Sequence, residues 1–264
     1  MTLGERLAAY GLVLPPGHSL VSLEERPELR EPLGDFIVPA WAEFLLHDPV
    51  ANTLWDHLYE DFAAFQCVLF DAQGAIVAGL NSAPLAWDGT DDELPHGWDD
   101  QFRRSVEDHR AGTPVNTLGA LQIVVGLDRQ GSGLSAVMLE AMRANAADHG
   151  FRALIACVRP NHKVDHPRMP IAEYAARVRD DGLPEDPWIR VHVRAGGRMV
   201  RAVEDSMTIP GTLAEWREWT GLELPTSGSY VPDGAASPVV INVEAGRGVY
   251  HDPNVWVVHR LGEG

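Results

Sequence analysis

Apolar positions along the chain follow two rhythms, short unbroken runs and longer stretches in which they recur at steps of three and four. The clearest alternation of the two spans residues 118–158. Residues 118–125 form an apolar run whose composition suits a strand buried on both faces. Past a turn at residues 128–135, Leu134, Val137, Met138, Ala141 and Met142 repeat at helical spacing while Glu140 and Arg143 face elsewhere, and His149-Gly150 supplies a C-terminal stop. Residues 151–158 return to an unbroken apolar run. The pattern predicts strand, glycine turn, helix, strand.

The flanking sequence reads in the same way. Residues 1–16, closed by Pro15-Pro16, suggest a loosely held arm, and residues 19–23 a short strand. From 26 to 46 the pattern is helical apart from a break near 32–34, with Phe36, Ile37, Ala40, Trp41, Phe44 and Leu45 on one face; Asp48-Pro49 ends it, and 53–61 offers a further helix. Residues 65–70 and 75–80 predict a hairpin joined across 71–74, where Gly74 suits a positive φ. The acidic stretch 87–117, with a helix over 98–109, reads as an insertion that is either a substrate lid or a solvated excursion. Further on, 171–179 predicts a short helix; Asp186 and Pro187 suit the N-cap and first position of another, ended by Gly196-Gly197. Residues 199–203, 239–243 and 255–259 are strand candidates, and 212–219 a helix.

Composition narrows the class. With 264 residues, 45% hydrophobic and 22% charged, the chain has the make-up of a soluble globular protein, and one elaborated domain over 1–264 is expected. No apolar run reaches the roughly 18 to 20 residues that span a bilayer, and residues 1–16 lack a basic start and a cleavage site, so a cytoplasmic protein is expected. The net charge of −17 argues against nucleic acid or an anionic membrane as partner, and suits a cationic amine. Cys67 and Cys157 lie in apolar runs and read as buried free thiols, and no His/Cys/Asp/Glu spacing suits a metal.

The candidate chemistry lies in the turn. Small residues let the backbone approach a ligand, and the free amides of a helix's first turn suit a phosphate. A dinucleotide fingerprint is excluded because Ala136 stands where its third glycine belongs, and a P-loop because Gly-Lys-Ser/Thr is absent. What remains is Gln130-Gly131-Ser132-Gly133-Leu134-Ser135, which by itself could be a plain structural turn. With its flanking strands it resembles motif A of the GCN5-related N-acetyltransferase (GNAT) family, Gln/Arg-x-x-Gly-x-Gly/Ala, with Ser135 where Gly or Ala is usual. A second stretch, His192-Val193-Arg194-Ala195-Gly196-Gly197, resembles the family's motif B, with histidine in place of its general-acid tyrosine; Asn161 matches the strand-end asparagine, loosely because of the 162–185 insertion.

The resemblance covers roughly residues 19–205. It implies an α/β (α+β) fold with a mixed, mostly antiparallel central sheet splayed between strands 4 and 5 and flanked by helices, with insertions at about 88–117 and 162–185 and a C-terminal extension from about 206. It implies acetyl-CoA or another acyl-CoA as co-substrate and no metal. Backbone groups of Ile123, Val124 and Val125 would meet the pantetheine and supply an oxyanion donor; the amides of Gly131 to Ser135, with Gln130 and Arg129, would hold the pyrophosphate, joined by Asn161. His192 is the candidate acid for the departing thiolate, because an ordinary imidazole pKa of about 6.5 leaves some imidazolium at neutral pH; Tyr174 is the second candidate. Core packing is the alternative for His192, as it is for Trp41 and Trp55 beside the acceptor wall. The partner implied is a small-molecule amine; a homodimer is neither required nor excluded. Altered chemistry on the same fold (another acyl donor or nucleophile, thioester decarboxylation or hydrolysis) and a non-catalytic acyl-CoA sensor stay open.

Overall fold

The computed structural model describes residues 2–262. Its N-terminal segment is no loose arm: Thr2 closes a capping box with Glu5 on α1 (Leu3–Leu7), and Leu3, Leu7 and Leu12 are buried in the main core. Then come β1 (Ser19–Ser22), α2 (Arg30–Ile37), α3 (Pro49–Leu54), α4 (Asp56–Glu60), β2 (Gln66–Phe70) and β3 (Ile76–Leu85). The long helix expected over 26–46 breaks at Trp41, which is extended, and not near 32–34. Pro32 sits in the first turn of α2, where a missing N–H costs nothing, and Leu33 and Ile37 close over Gly79 of β3, so the helix ends once that contact is made.

Next are α5 (Trp98–Ala111), β4 (Thr117–Val125), α6 (Leu134–Asp148), β5 (Ala153–Val158), α7 (Ile171–Ala175) and α8 (Pro187–Arg194). The chain closes with β6 (Arg198–Thr212), α9 (Leu213–Thr220), β7 (Gly228–Tyr230), β8 (Val239–Asn242) and β9 (Arg247–Arg260). The strands form one sheet in the order β1-β2-β3-β4-β5-β9-β8-β7, with β6 also on β9. Every pairing is antiparallel except β4 with β5. This is the open mixed sheet that the motifs imply. No helix among the described residues is long and apolar enough to cross a membrane.

Two insertions differ from expectation. The 88–117 stretch is neither lid nor solvated excursion: α5 buries Trp98, Gln101, Phe102, Ser105 and Val106, and its aromatic rings enter the main core. The region from about 206 is no extension either. β9, the last strand, lies between β5 and β8 and pairs along its length with β6, so residues 213–246 are an insertion inside the sheet. That insertion brings Trp216, Val239 and Ile241 to a second core, shared with Tyr250 of β9 and with Phe44 and Leu45 from the segment before α3.

The pairing of β4 and β5 is short. It runs from Thr117↔Ala153 to Ala120↔Ala156 and stops, although β4 continues to Val125 and β5 to Val158. A bulge at Leu121 shifts the β3–β4 register at that point, and bulged strands bend away. Helix α5 meets the carbonyls there: the Trp98 indole donates to Leu121 O and the Gln101 amide to Ala120 O, each at 2.9 Å. The splay is thus built from a bulge plus an inserted helix.

Candidate functional site

The splay opens into a cleft of about 1120 Å³. At one end stands the turn before α6. Gly131 and Gly133 have φ of 76° and 87°, left-handed values that favour glycine, and a Cβ at either would point into open space. Gly133 is the N-cap of α6 and brings no side-chain cap, so the amides of Leu134 and Ser135 face outward unpaired. Gln130, Gly131, Gly133, Leu134 and Ser135 line the cleft, as do Ile123, Val124, Val125 and Arg129. Ser132 does not: its hydroxyl and its N–H both turn back to Arg129 O. Arg129 is half shared with Asp71 at 3.3 Å and Asp128 at 3.2 Å. Asn161 lines the opposite wall just past β5.

The two catalytic candidates look different in place. Asp186 caps α8 by accepting from Trp188 N and Ile189 N, as its sequence predicts, and α8 presents His192 to the cleft. His192 is 2% exposed, and its Nδ1 lies 3.0 Å from Nε2 of His259. Burial first, and the neighbouring ring second, push its pKa down to about 3, while burial and Arg143 push His259 down to about 4. The expected imidazolium at neutral pH is therefore absent; the pair is two neutral rings sharing one hydrogen bond. Tyr174 is not part of the cleft wall. Its hydroxyl donates to Asp186 Oδ2 at 2.9 Å, and burial plus that carboxylate raise its pKa, so it steadies the cap of α8 and is a poor acid.

The other end of the cleft is assembled from distant segments. Trp41 donates through Nε1 to Gln122 Oε1 at 2.9 Å, Gln122 to Asn81 Oδ1 at 2.7 Å, and Asn81 to Gln66 Oε1 at 2.9 Å, an amide relay across β4, β3 and β2. Opposite lies Arg159, whose Nε meets both oxygens of the fully buried Asp252 at 3.0 Å and whose Nη2 donates to Gly234 O at 2.8 Å. Tyr250 donates to the same carboxylate at 2.6 Å, and Lys163, 1% exposed, donates to Ala236 O at 2.7 Å. These charges pin the loop before β8 against the cleft. Trp41 and Trp55 both line this half, Trp55 donating to the Tyr59 hydroxyl at 2.9 Å. Sequence reasoning did not find Arg159, Asp252 or the amide relay. A hint was present in Arg159 directly after an apolar strand, but its partner is 93 positions away.

The cleft fits the group that the motifs imply: open space beside left-handed glycines, unpaired amides at the start of α6, and a strand edge from Leu121 onward without a partner strand. No family model matches the chain. An arginine N-acetyltransferase of Aspergillus versicolor is 32% identical over 98% of this chain and 99% of its own length. Among solved structures, the loading GNATL domain of CurA from Lyngbya majuscula superposes with a TM-score of 0.56 at 17% identity, over 92% of this chain and 98% of that one. The near full-length relative and the shared splayed fold agree with the glycine turn and the parted strands, and the chain belongs to the GCN5-related N-acetyltransferase superfamily, as an acyl-CoA-dependent N-acyltransferase.

Proposed function

We propose that the protein acylates a small-molecule amine or guanidine, with acetyl-CoA as first-choice donor, by direct transfer while both substrates occupy the cleft. The observation that carries this is the continuity of the cleft, from the amides of the Gly131–Ser135 turn, along the free edge of β4, to the Trp41 and Arg159 end. The acyl-CoA supplies an activated thioester carbonyl. The chain supplies backbone amides for the phosphates, a strand edge whose N–H groups can hold the pantetheine and the developing oxyanion, and walls that exclude water. Arg194, in the last turn of α8 and without an ion pair among the described residues, lines the same cleft as a further anion contact. The nitrogen bonds to the acyl carbon, the C–S bond breaks, and the proton lost by nitrogen goes to the thiolate or to solvent.

Cys157 supports direct transfer. It is the thiol that lines the cleft among the described residues, and burial holds it up at about 12, which keeps it from forming an acyl-enzyme. The arginine N-acetyltransferase similarity makes arginine and its derivatives the first acceptors to try. The test is incubation with acetyl-CoA and an amine panel, following thiol release and N-acylated product by mass. Product with initial rates that intersect in double-reciprocal plots is expected. Coenzyme A binding with no product from any amine would favour a sensor, and thiol release without N-acyl product would favour hydrolysis or decarboxylation.

A further inference from the structure

The chain carries −17 overall, yet among the described residues no Asp or Glu lines the cleft. The cations on its wall are Arg129, Arg159, Arg190 and Arg194. Arg129 stands by the glycine turn, and Arg190 and Arg194 lie one turn apart on α8, the helix beside α6. Arg159 alone faces the Trp41 end, and Asp252 already meets its charge from behind. The remaining titratable walls are uncharged: burial raises the Tyr59 phenol and holds Cys157 near 12, and the His192 ring is neutral. His162 is an exposed imidazole at the rim. What lies free at the acceptor end is indole surface from Trp41 and Trp55 and the amide of the exposed Asn52, the Gln122 amide being already committed to Trp41 and Asn81.

A cation entering this space loses hydration and finds no counter-charge, while the arginines around it oppose it. Both effects favour the free base of an amine, whose proton is far more easily lost than that of a guanidinium. The missing carboxylate also removes the commonest general base, so the low-polarity wall takes its place by selecting a nitrogen that has already lost its proton. We infer that the acceptor end is a neutral, indole-walled subsite for the uncharged form of an amine borne on an apolar or aromatic body, and that it discriminates against acceptors with further cationic groups. This rests on the acyl-transfer reading and names the acceptor class within it. It also reverses the expectation that the acidity of the chain draws a cation into the site; the acidic residues lie elsewhere.

Binding and turnover test the inference separately. With the protein saturated in coenzyme A, calorimetry compares arginine, agmatine and phenethylamine, which carry successively fewer charged groups. Phenethylamine should bind at least about tenfold tighter than either of the others. Equal affinities, tighter agmatine, or no binding of any of the three would overturn the inference. If phenethylamine binds with that preference but no N-acyl product forms, acyl transfer fails and the subsite stands. Where product forms, log kcat/KM should rise with pH at a slope of about 1, with an inflection that moves with the pKa of each acceptor used. An inflection fixed across acceptors would mark an enzyme base and overturn it. Asn52→Asp places a carboxylate at an exposed wall position and should narrow the preference for phenethylamine over agmatine by roughly fivefold or more.

Discussion

The two ends of the cleft are built on different principles. The donor end is one contiguous hexapeptide whose work is done by backbone: left-handed glycines, uncapped amides, open space. The acceptor end joins side chains from residues 41 to 254, held by a buried ion pair, a buried lysine and an amide relay. A backbone site can keep its form under many sequences, because only φ angles and the absence of bulk matter. A site held by buried charge depends on each partner being present, since removal of one leaves the other unpaired in a poor solvent for charge. The donor end should therefore fail locally when altered, and the acceptor end through stability.

The largest effect is expected at the Arg159–Asp252 pair. Asp252→Ala leaves a half-buried guanidinium without its counter-charge and frees the Tyr250 hydroxyl, and the cost should be about 3 kcal/mol in urea denaturation. Breaking a solvent-exposed pair such as Arg198–Asp91 should change the denaturation midpoint far less. A small loss at Asp252 would mean that the insertion loop holds itself in place, and the contrast between the two ends would fall away.

Next is Gly133→Leu at the donor end. It forces a branched residue into φ 87° and projects its side chain into the space where the phosphates would lie. Coenzyme A affinity should drop about 100-fold, near 2.7 kcal/mol, with the circular dichroism spectrum kept and stability lowered by no more than about 2 kcal/mol. Unchanged affinity in calorimetry would remove the turn from the binding site.

How much of this was legible follows from the same contrast. The β4-turn-α6-β5 unit could be read because its signals are local, apolar runs and glycines at the left-handed positions, and the start of α8 likewise from Asp186 before Pro187. The 88–117 stretch misled because many of its acidic residues lie in the loop ahead of α5, while Trp98 and Phe102, spaced for one face, pack into the core and even Asp99 turns inward to meet the buried Asp48. The last strand was legible as a strand, but its place between β5 and β8 is a property of pairing across more than 80 positions, for which a single chain gives no local signal. Ser132 was included with the turn because it lies in the motif, although its hydroxyl serves the turn itself.

A third effect concerns the wall behind the acceptor end. Asp48 caps α3, which contributes Asn52 to the cleft, and it faces Asp99 in the first turn of α5. Burial and the neighbouring carboxylate hold Asp99 up at about 8. The native state thus keeps a proton that the unfolded chain releases above the ordinary Asp value, so stability falls as pH rises from about 4 to 8. Asp99→Asn keeps an oxygen for Thr208 N and removes the ionisation. It should raise stability at pH 8 by on the order of 1 kcal/mol and change little at pH 4. A variant equally shifted at both pH values would show that packing and not proton sharing matters there.

The smallest effect on turnover is expected from His192→Phe. The resemblance to motif B suggests an acid for the thiolate, with core packing as the alternative, but a ring held at about 3 carries no ionisable proton across pH 6 to 9, and its Nδ1 is committed to His259. Phenylalanine keeps the edge-on contact with Trp188, whose ring lies 4.5 Å away at 72°. Turnover at pH 7 to 9 should therefore stay within about threefold, far from the 10²- to 10⁴-fold loss that marks a general acid. Stability should respond instead. The folded pKa is depressed, so the unfolded chain binds more protons between about 3 and 6.5 and the wild type loses stability as pH falls through that window. Removing the imidazole should shrink the stability difference between pH 8 and pH 5 by about 1 kcal/mol, while the loss of His259's partner lowers stability at both. A hundredfold fall in turnover with coenzyme A affinity kept would return His192 to the proton-transfer path and place a catalytic side chain on the boundary between the two ends of the cleft.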